Sequence, residues 1–128
     1  MRKKNRWVLL KHFSCLTDAK DFHFDLLLED VDNCRSWRLK QIPQVDGPRL
    51  QIISIQPHDL SWLETSGRKV SGNRGYAFPL MKGFFFGKLS KLEREPFHVN
   101  CVGDLTGILE ISIHDCCLRS TSQFVREH

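Results

Sequence analysis

Apolar and polar residues alternate with a period of two along most of this chain, in segments too short for stable helices. Residues 22–29, FHFDLLLE, show it best. Phe22, Phe24, Leu26 and Leu28 fall on one face, and His23, Asp25, Leu27 and Glu29 on the other. Residues 6–12 set Trp7, Leu9 and Lys11 against Val8, Leu10 and His12, and residues 35–40 set Arg35, Trp37 and Leu39 against Ser36, Arg38 and Lys40. Residues 50–55 are rich in isoleucine, and further strands are expected over 75–78, 83–89, 97–102, 107–114 and 118–125. The one helical candidate is a turn or two over 58–64. Asp32-Asn33 suits a hairpin tip, 43–48 a loop, and Ser71-Gly72-Asn73-Arg74-Gly75 a glycine-punctuated turn. The pattern predicts an all-β chain with minor helix, built from short and mostly antiparallel strands as a sandwich or small barrel. With 128 residues and no repeat, low-complexity tract or linker, a single domain over 1–128 is expected.

Nine Phe, three Trp and one Tyr supply a folded core. No stretch approaches the roughly 20 apolar residues that span a membrane as a helix. The basic start MRKKNR leads into only four apolar residues, 7–10, before Lys11 and His12. That is too short for a signal peptide's apolar region, so a first strand and a cytoplasmic protein are expected. Cysteines at 15, 34, 101, 116 and 117 form no C-x-x-C pair, which argues against a zinc ribbon and for free, mostly buried thiols. Cys116-Cys117 is the one pair worth testing for a soft metal. The net charge of +4 suits an anionic partner such as nucleic acid without requiring one.

His23 and Asp25 share a strand face with Cβ atoms roughly 6.5–7 Å apart, so their side chains can converge on one ion. Imidazole nitrogen with carboxylate oxygen suits Mn²⁺ or Zn²⁺. His12 ends the Val8/Leu10 face of the preceding strand; if the two strands pair, His12, His23 and Asp25 become three ligands with positions open to water and substrate. An inward Asp25 needs a partner, either an ion or the guanidinium of Arg35 or Arg38. His58, in QPHDLSW, reads as lying outside any strand, where it serves as general acid or phosphate ligand, or caps the next turn. His98, His114 and His128 have no companions.

In order, KH at 11–12, HFDLLLE at 23–29, RSWRL at 35–39, PHDLSW at 57–62 and VSGNRG at 70–75 resemble the 3′-phosphoesterase domain of bacterial DNA ligase D and its small stand-alone relatives. The family's run is KH, then HYDFRLE or HFDxxLE, then LKSWAV or LxTWRL, then HPLDY, then a glycine-rich turn. The match covers roughly residues 6–90. The resemblance implies a compact β-barrel, closed or partly closed. It implies a manganese-dependent DNA-repair enzyme that removes a 3′-terminal ribonucleoside and then the 3′-phosphate, with nucleic-acid 3′ ends as substrate; a ligase or polymerase is a candidate partner to which no residue of the sequence points. By motif position, His12, His23 and Asp25 are the metal ligands. His58 is the phosphate-binding histidine and, with His23, a catalytic residue. Arg49 is the candidate for a further phosphate contact, with Lys40 and Arg74 behind it. Three departures stand out. The phosphate-binding arginine of HYDFRLE is Leu27, which donates nothing. The tyrosine of HPLDY is Trp62. The loop 13–22 is longer than in the ligase domains. Two expectations follow: an enzyme that meets the phosphate charge elsewhere, or a module that binds nucleic-acid ends or a repair partner without turnover. Leu27→Arg would raise the rate if the missing arginine limits it.

Overall fold

The computed structural model describes residues 4–14, 20–92 and 94–121. Nine strands follow in chain order: β1 (Asn5–Phe13), β2 (Phe22–Glu29), β3 (Cys34–Leu39), β4 (Leu50–His58), β5 (Arg68–Lys69), β6 (Tyr76–Phe86), β7 (Phe97–Gly103), β8 (Gly107–Ile111) and β9 (Asp115–Arg119). A 3-10 turn, Leu60–Leu63, lies between β4 and β5. All strand pairings are antiparallel, and they run β1-β2-β3-β4-β9-β8-β7-β6 and back to β1, a ring that forms a partly closed barrel. The little β5 adds to β6 at Tyr76 and Ala77. The ring is thinnest between β4 and β9, where only Leu50↔Cys116 and Gln51↔Asp115 pair, followed by the bond from Ile52 N to His114 O. Among the described residues no strand pairs with β4 on that edge beyond this point. No helix among them is long and apolar enough to cross a membrane.

The buried side chains form two cores on opposite sides of the sheet. Trp7, Leu9, Phe24, Leu26, Leu28, Trp37, Leu39, Ile52, Phe85, Val99, Leu109 and Leu118 fill the barrel interior. Each such buried side chain contributes roughly 1.5–3 kcal/mol relative to exposure. The opposite face of β1 and β2 carries a smaller core. There Val8, Leu10 and Leu27 pack with Cys34, Ala77, and Trp62 and Leu63 from the 3-10 turn. Arg6 bonds Glu29 and Glu64 and so ties β1 to β2 and to the end of that turn.

Several boundaries differ from the sequence reading. The stretches 75–78 and 83–89 belong to one long strand, β6. Pro79 sits inside it because the register against β1 slips between Leu9 and Leu10, leaving Leu80 as the extra, exposed residue of a bulge. A bulge tolerates a residue with no N–H to donate. His58 is not outside the strands: it ends β4 and pairs with Cys34. The helix expected over 58–64 contracts to Leu60–Leu63. β8 stops at Ile111, because Ser112 N bonds Asp115 O and turns the chain directly into β9, earlier than the expected 118. Cys15, His128, residues 122–125 and the middle of the 13–22 loop lie outside the described residues.

Cys34, Cys101, Cys116 and Cys117 are buried free thiols. Burial pushes Cys34, Cys101 and Cys116 up to about 12. Cys116 points into the barrel core, while Cys117, next to it on β9, touches Arg49 and Glu110. Adjacent strand residues face opposite sides, so the pair is not built to chelate.

Candidate metal centre

Register brings three ligands together. β1 and β2 oppose His12 with His23 and Leu10 with Asp25, on the face away from the barrel interior. His12 Nδ1 lies 3.3 Å from Asp25 Oδ2, and His23 Nε2 lies 3.3 Å from Asp25 Oδ1. The two imidazoles meet edge to face with centroids 4.5 Å apart. One ligand atom from each of the three residues falls within 4.8 Å of the others. β3 adds Arg38, register partner of Asp25, whose Nε is 3.5 Å from Asp25 Oδ1. The sequence offered Arg35 or Arg38 for this place. Arg35 instead bonds the Ser90 carbonyl and lies over Trp37 and Phe97.

The outer hydrogen bonds fix what the two histidines present to Asp25. His12 Nε2 is 2.7 Å from the carbonyl oxygen of Arg74, so Nε2 carries the proton and donates it. In the neutral ring Nδ1 then turns a lone pair toward a carboxylate. That arrangement is stable only with a cation between the two, a proton or a metal ion. His23 Nδ1 approaches Ser14 Oγ at 3.4 Å, leaving Nε2 on the Asp25 side. Despite its closeness to Asp25, Nε2 makes no aligned hydrogen bond, and it is the buried side-chain nitrogen or oxygen without one among the described residues. A buried orphan nitrogen is costly unless something fills its direction. Both features fit a divalent ion held by His12, His23 and Asp25.

The Arg74 carbonyl is set by the turn VSGNRG. Asn73 has φ 58° and Gly75 φ 92°, and a Cβ on Gly75 would run into the Phe13 carbonyl of β1. Only glycine lets this turn press against β1.

Burial pushes the Asp25 carboxyl up, but the nearby imidazoles of His12 and His23 and the charge of Arg38 outweigh it and hold the group well below the usual carboxylate range. The bond to Asp25 raises His12 against the opposing effect of burial. The depressed Asp25 contributes stability that is present above about pH 4 and is lost as pH falls through its folded value. The raised His12 contributes stability that is present below about pH 6.5 and is lost as pH rises through its folded value. The metal-free protein should therefore show its greatest urea stability from this pair between about pH 4 and 6.5. Uptake of a metal ion at these residues should run the other way, strengthening from about pH 5 to 8 as His12 sheds the proton an ion must displace. Urea melts and Mn²⁺ titrations across that range check both limbs; parallel pH trends for the two would refute the account.

Two clefts meet at this point. One, of about 1000 Å³, is lined by His12, Asp25, Arg38, His58, Trp62 and Arg74. The other, of about 840 Å³, is lined by His23, Arg38, Lys40, Arg49 and His114. In the first, Ser36 Oγ donates to the Cys34 carbonyl at 2.9 Å, so it accepts from His58 Nδ1–H at 2.8 Å. Burial pushes His58 below the ordinary imidazole range, partly offset by the charge of Asp25. Burial thus favours the neutral ring. Trp62 meets it edge-on at 5.8 Å and in turn carries the Arg68 guanidinium over its face at 3.8 Å.

Other candidates fall elsewhere. Arg49 is bound by Asp115 at 2.8 Å and by Glu110 at 3.3 Å, which raise its pKa and occupy its fork. The Arg74 guanidinium folds back on its own turn, onto Ser71. Lys40 is exposed in the second cleft, and Leu27 is fully buried in the smaller core. Sequence reasoning missed Ser36, Ser14 and the Arg74 carbonyl. A serine or a backbone oxygen leaves no signal at a distance in sequence, although Ser36 shares Arg38's face. The chain matches no model of a known protein family and no curated protein.

Proposed function

We propose that this chain is a metal-dependent phosphoesterase acting on the 3′ ends of nucleic acid in DNA repair, removing a 3′-phosphate or a 3′-terminal ribonucleotide. The observation that carries this reading is the convergence of His12, His23 and Asp25, with His23 Nε2 lacking any aligned protein partner, beside a cleft that holds a neutral histidine. The ordered resemblance to the ligase D phosphoesterase domain names the substrate and favours Mn²⁺, the donor set also accepting Zn²⁺. Bound there, a divalent ion supplies Lewis acidity to a phosphoryl oxygen and lowers the pKa of a coordinated water.

The chain's own groups supply the remaining parts. His12 and His23, oriented by Arg74 O and Ser14, keep one nitrogen each toward Asp25. His58, its Nδ1–H fixed on Ser36, would accept the attacking water's proton at Nε2 as the P–O bond breaks, the departing oxygen on the opposite side of phosphorus taking its proton from solvent. Trp62, Val70 and Ala77 wall the cleft with apolar surface. Leu27 favours the second reading, a module that binds ends or a ligase or polymerase partner without turnover, because it is packed into a core and offers the phosphate nothing.

The test is release of phosphate from a short primer-template ending in a 3′-phosphate or a single 3′-ribonucleotide, with Mn²⁺, with Mg²⁺ and with chelator. Mn²⁺-dependent release abolished by His58→Ala is expected. Mn²⁺ binding with no release would leave the binding module.

A further inference from the structure

Arg38 stands where the two clefts join and lines both. Its side chain is 42% exposed, and its one contact is a long one, Nε to Asp25 Oδ1 at 3.5 Å. Among the described residues its terminal guanidinium nitrogens have no protein partner. The other arginines near the clefts are committed: Arg49 to Asp115 and Glu110, Arg74 to Ser71, and Arg68 to Ser61 and the Trp62 ring.

A neutralising role for Arg38 toward Asp25 is poorly served by this geometry. Asp25 already faces His12 and His23, and the arginine reaches it with its least accessible nitrogen at the limit of a hydrogen bond. With a divalent ion held by His12, His23 and Asp25, a guanidinium so near it is a like charge that costs free energy unless an anion lies between them. The part of Arg38 that faces open cleft is its planar fork, which matches two oxygens of a phosphoryl group.

We propose that Arg38 is the anion-binding residue of this site, taking two phosphoryl oxygens of a phosphate monoester or diester from strand β3. The inference rests on the metal-dependent reading above and deepens it, since it identifies where the phosphate charge is met when Leu27 cannot meet it. It also sets the position of the ligand: the phosphorus lies over Asp25 at the junction of the clefts, with His58 on one side and Lys40 on the other.

The experiment uses the full chain and Arg38→Gln and Arg38→Lys. Mn²⁺ uptake is read from the loss of the free-ion resonance signal, and inorganic phosphate binding to the Mn²⁺-loaded proteins by calorimetry. Arg38→Gln should take up Mn²⁺ as well as the wild type or more tightly, a like charge having been removed, while phosphate binding weakens about 10- to 100-fold. Arg38→Lys, which keeps the charge and loses the fork, should fall in between. Phosphate affinity of Arg38→Gln within about twofold of the wild type would overturn the proposal. So would loss of Mn²⁺ from both variants together with a lowered melting temperature, the mark of a residue that merely holds Asp25. A wild type that takes up Mn²⁺ but no phosphate overturns the anion site alone, and one that takes up no Mn²⁺ overturns the metal reading with it.

Discussion

Asp25→Ala is expected to weaken Mn²⁺ binding by more than about 100-fold and to remove any metal-dependent phosphate release with it. The carboxylate is the only anionic member of the three ligands, and both histidines are aimed at its oxygens. Without it, two neutral imidazoles would have to hold a hard cation beside the positive Arg38. The metal-free fold should lose about 1–3 kcal/mol, the range of a hydrogen bond to a charged group, because no buried charge is left behind. His12 can release the proton that Asp25 retained, and Arg38 is exposed enough to be hydrated where it stands. Asp25→Asn sharpens the comparison. Its amide can donate to the His12 Nδ1 lone pair, so the metal-free variant should match or exceed the wild type in stability while still failing to bind the ion. Calorimetric titration and thermal melts with and without Mn²⁺ read both quantities. The wild type should melt higher with the ion and neither variant should; wild-type affinity in Asp25→Ala would refute the site.

Leu27→Arg is expected to destabilise the protein by about 3–5 kcal/mol rather than to restore activity. The sequence alone made this substitution look like a repair, since the family motif has arginine there. In the fold Leu27 is fully buried between Val8, Leu10, Cys34, Trp62 and Leu63, with Ser36 as its register partner. A guanidinium placed there meets no carboxylate in that cluster and must displace the 3-10 turn to reach water. Since Trp62 from that turn touches His58, the displacement also disturbs the cleft. A fall in the urea midpoint with no gain in phosphate release is the expected pair of results. A wild-type midpoint with a faster reaction would mean that the arginine reaches the cleft after all.

The barrel and the His12-His23-Asp25 cluster were legible in sequence for the same reason. A strand has a period of two, so the identity of alternate residues states which face each occupies. If residues 6–12 and 22–29 pair, His12 can join His23 and Asp25 on one side, and the register that opposes His12 with His23 puts it there. What stayed hidden depends on contacts between distant elements. Separate strands were expected over 75–78 and 83–89, but they are one strand, in which a bulge against β1 accommodates Pro79. Pro57 made His58 look like a loop residue, yet it is exposed in β4 beside a register shift, and the strand carries on through it. The outer core around Leu27 could not be read because it needs Trp62 and Leu63 to fold back across β1 and β2. Arg49 lost its expected place to Asp115 and Glu110, acids of the chain's far end that no local pattern links to it.

The thin join between β4 and β9 has a mechanical consequence. Past Ile52, β4 is held along one side only, by β3, while its other side has no strand beside it among the described residues. It behaves as a cantilever clamped along β3. Ser54, Gln56 and His58, which border the first cleft, ride on that free arm. His12, His23 and Asp25 belong to β1 and β2, whose pairing is continuous from Trp7↔Leu28 to Phe13↔Phe22. The cleft can thus widen or narrow by flexing one wall, leaving these three residues and the barrel core at rest. The Ser36–His58 bond acts as the tether that limits how far the arm's tip swings from its clamped neighbour.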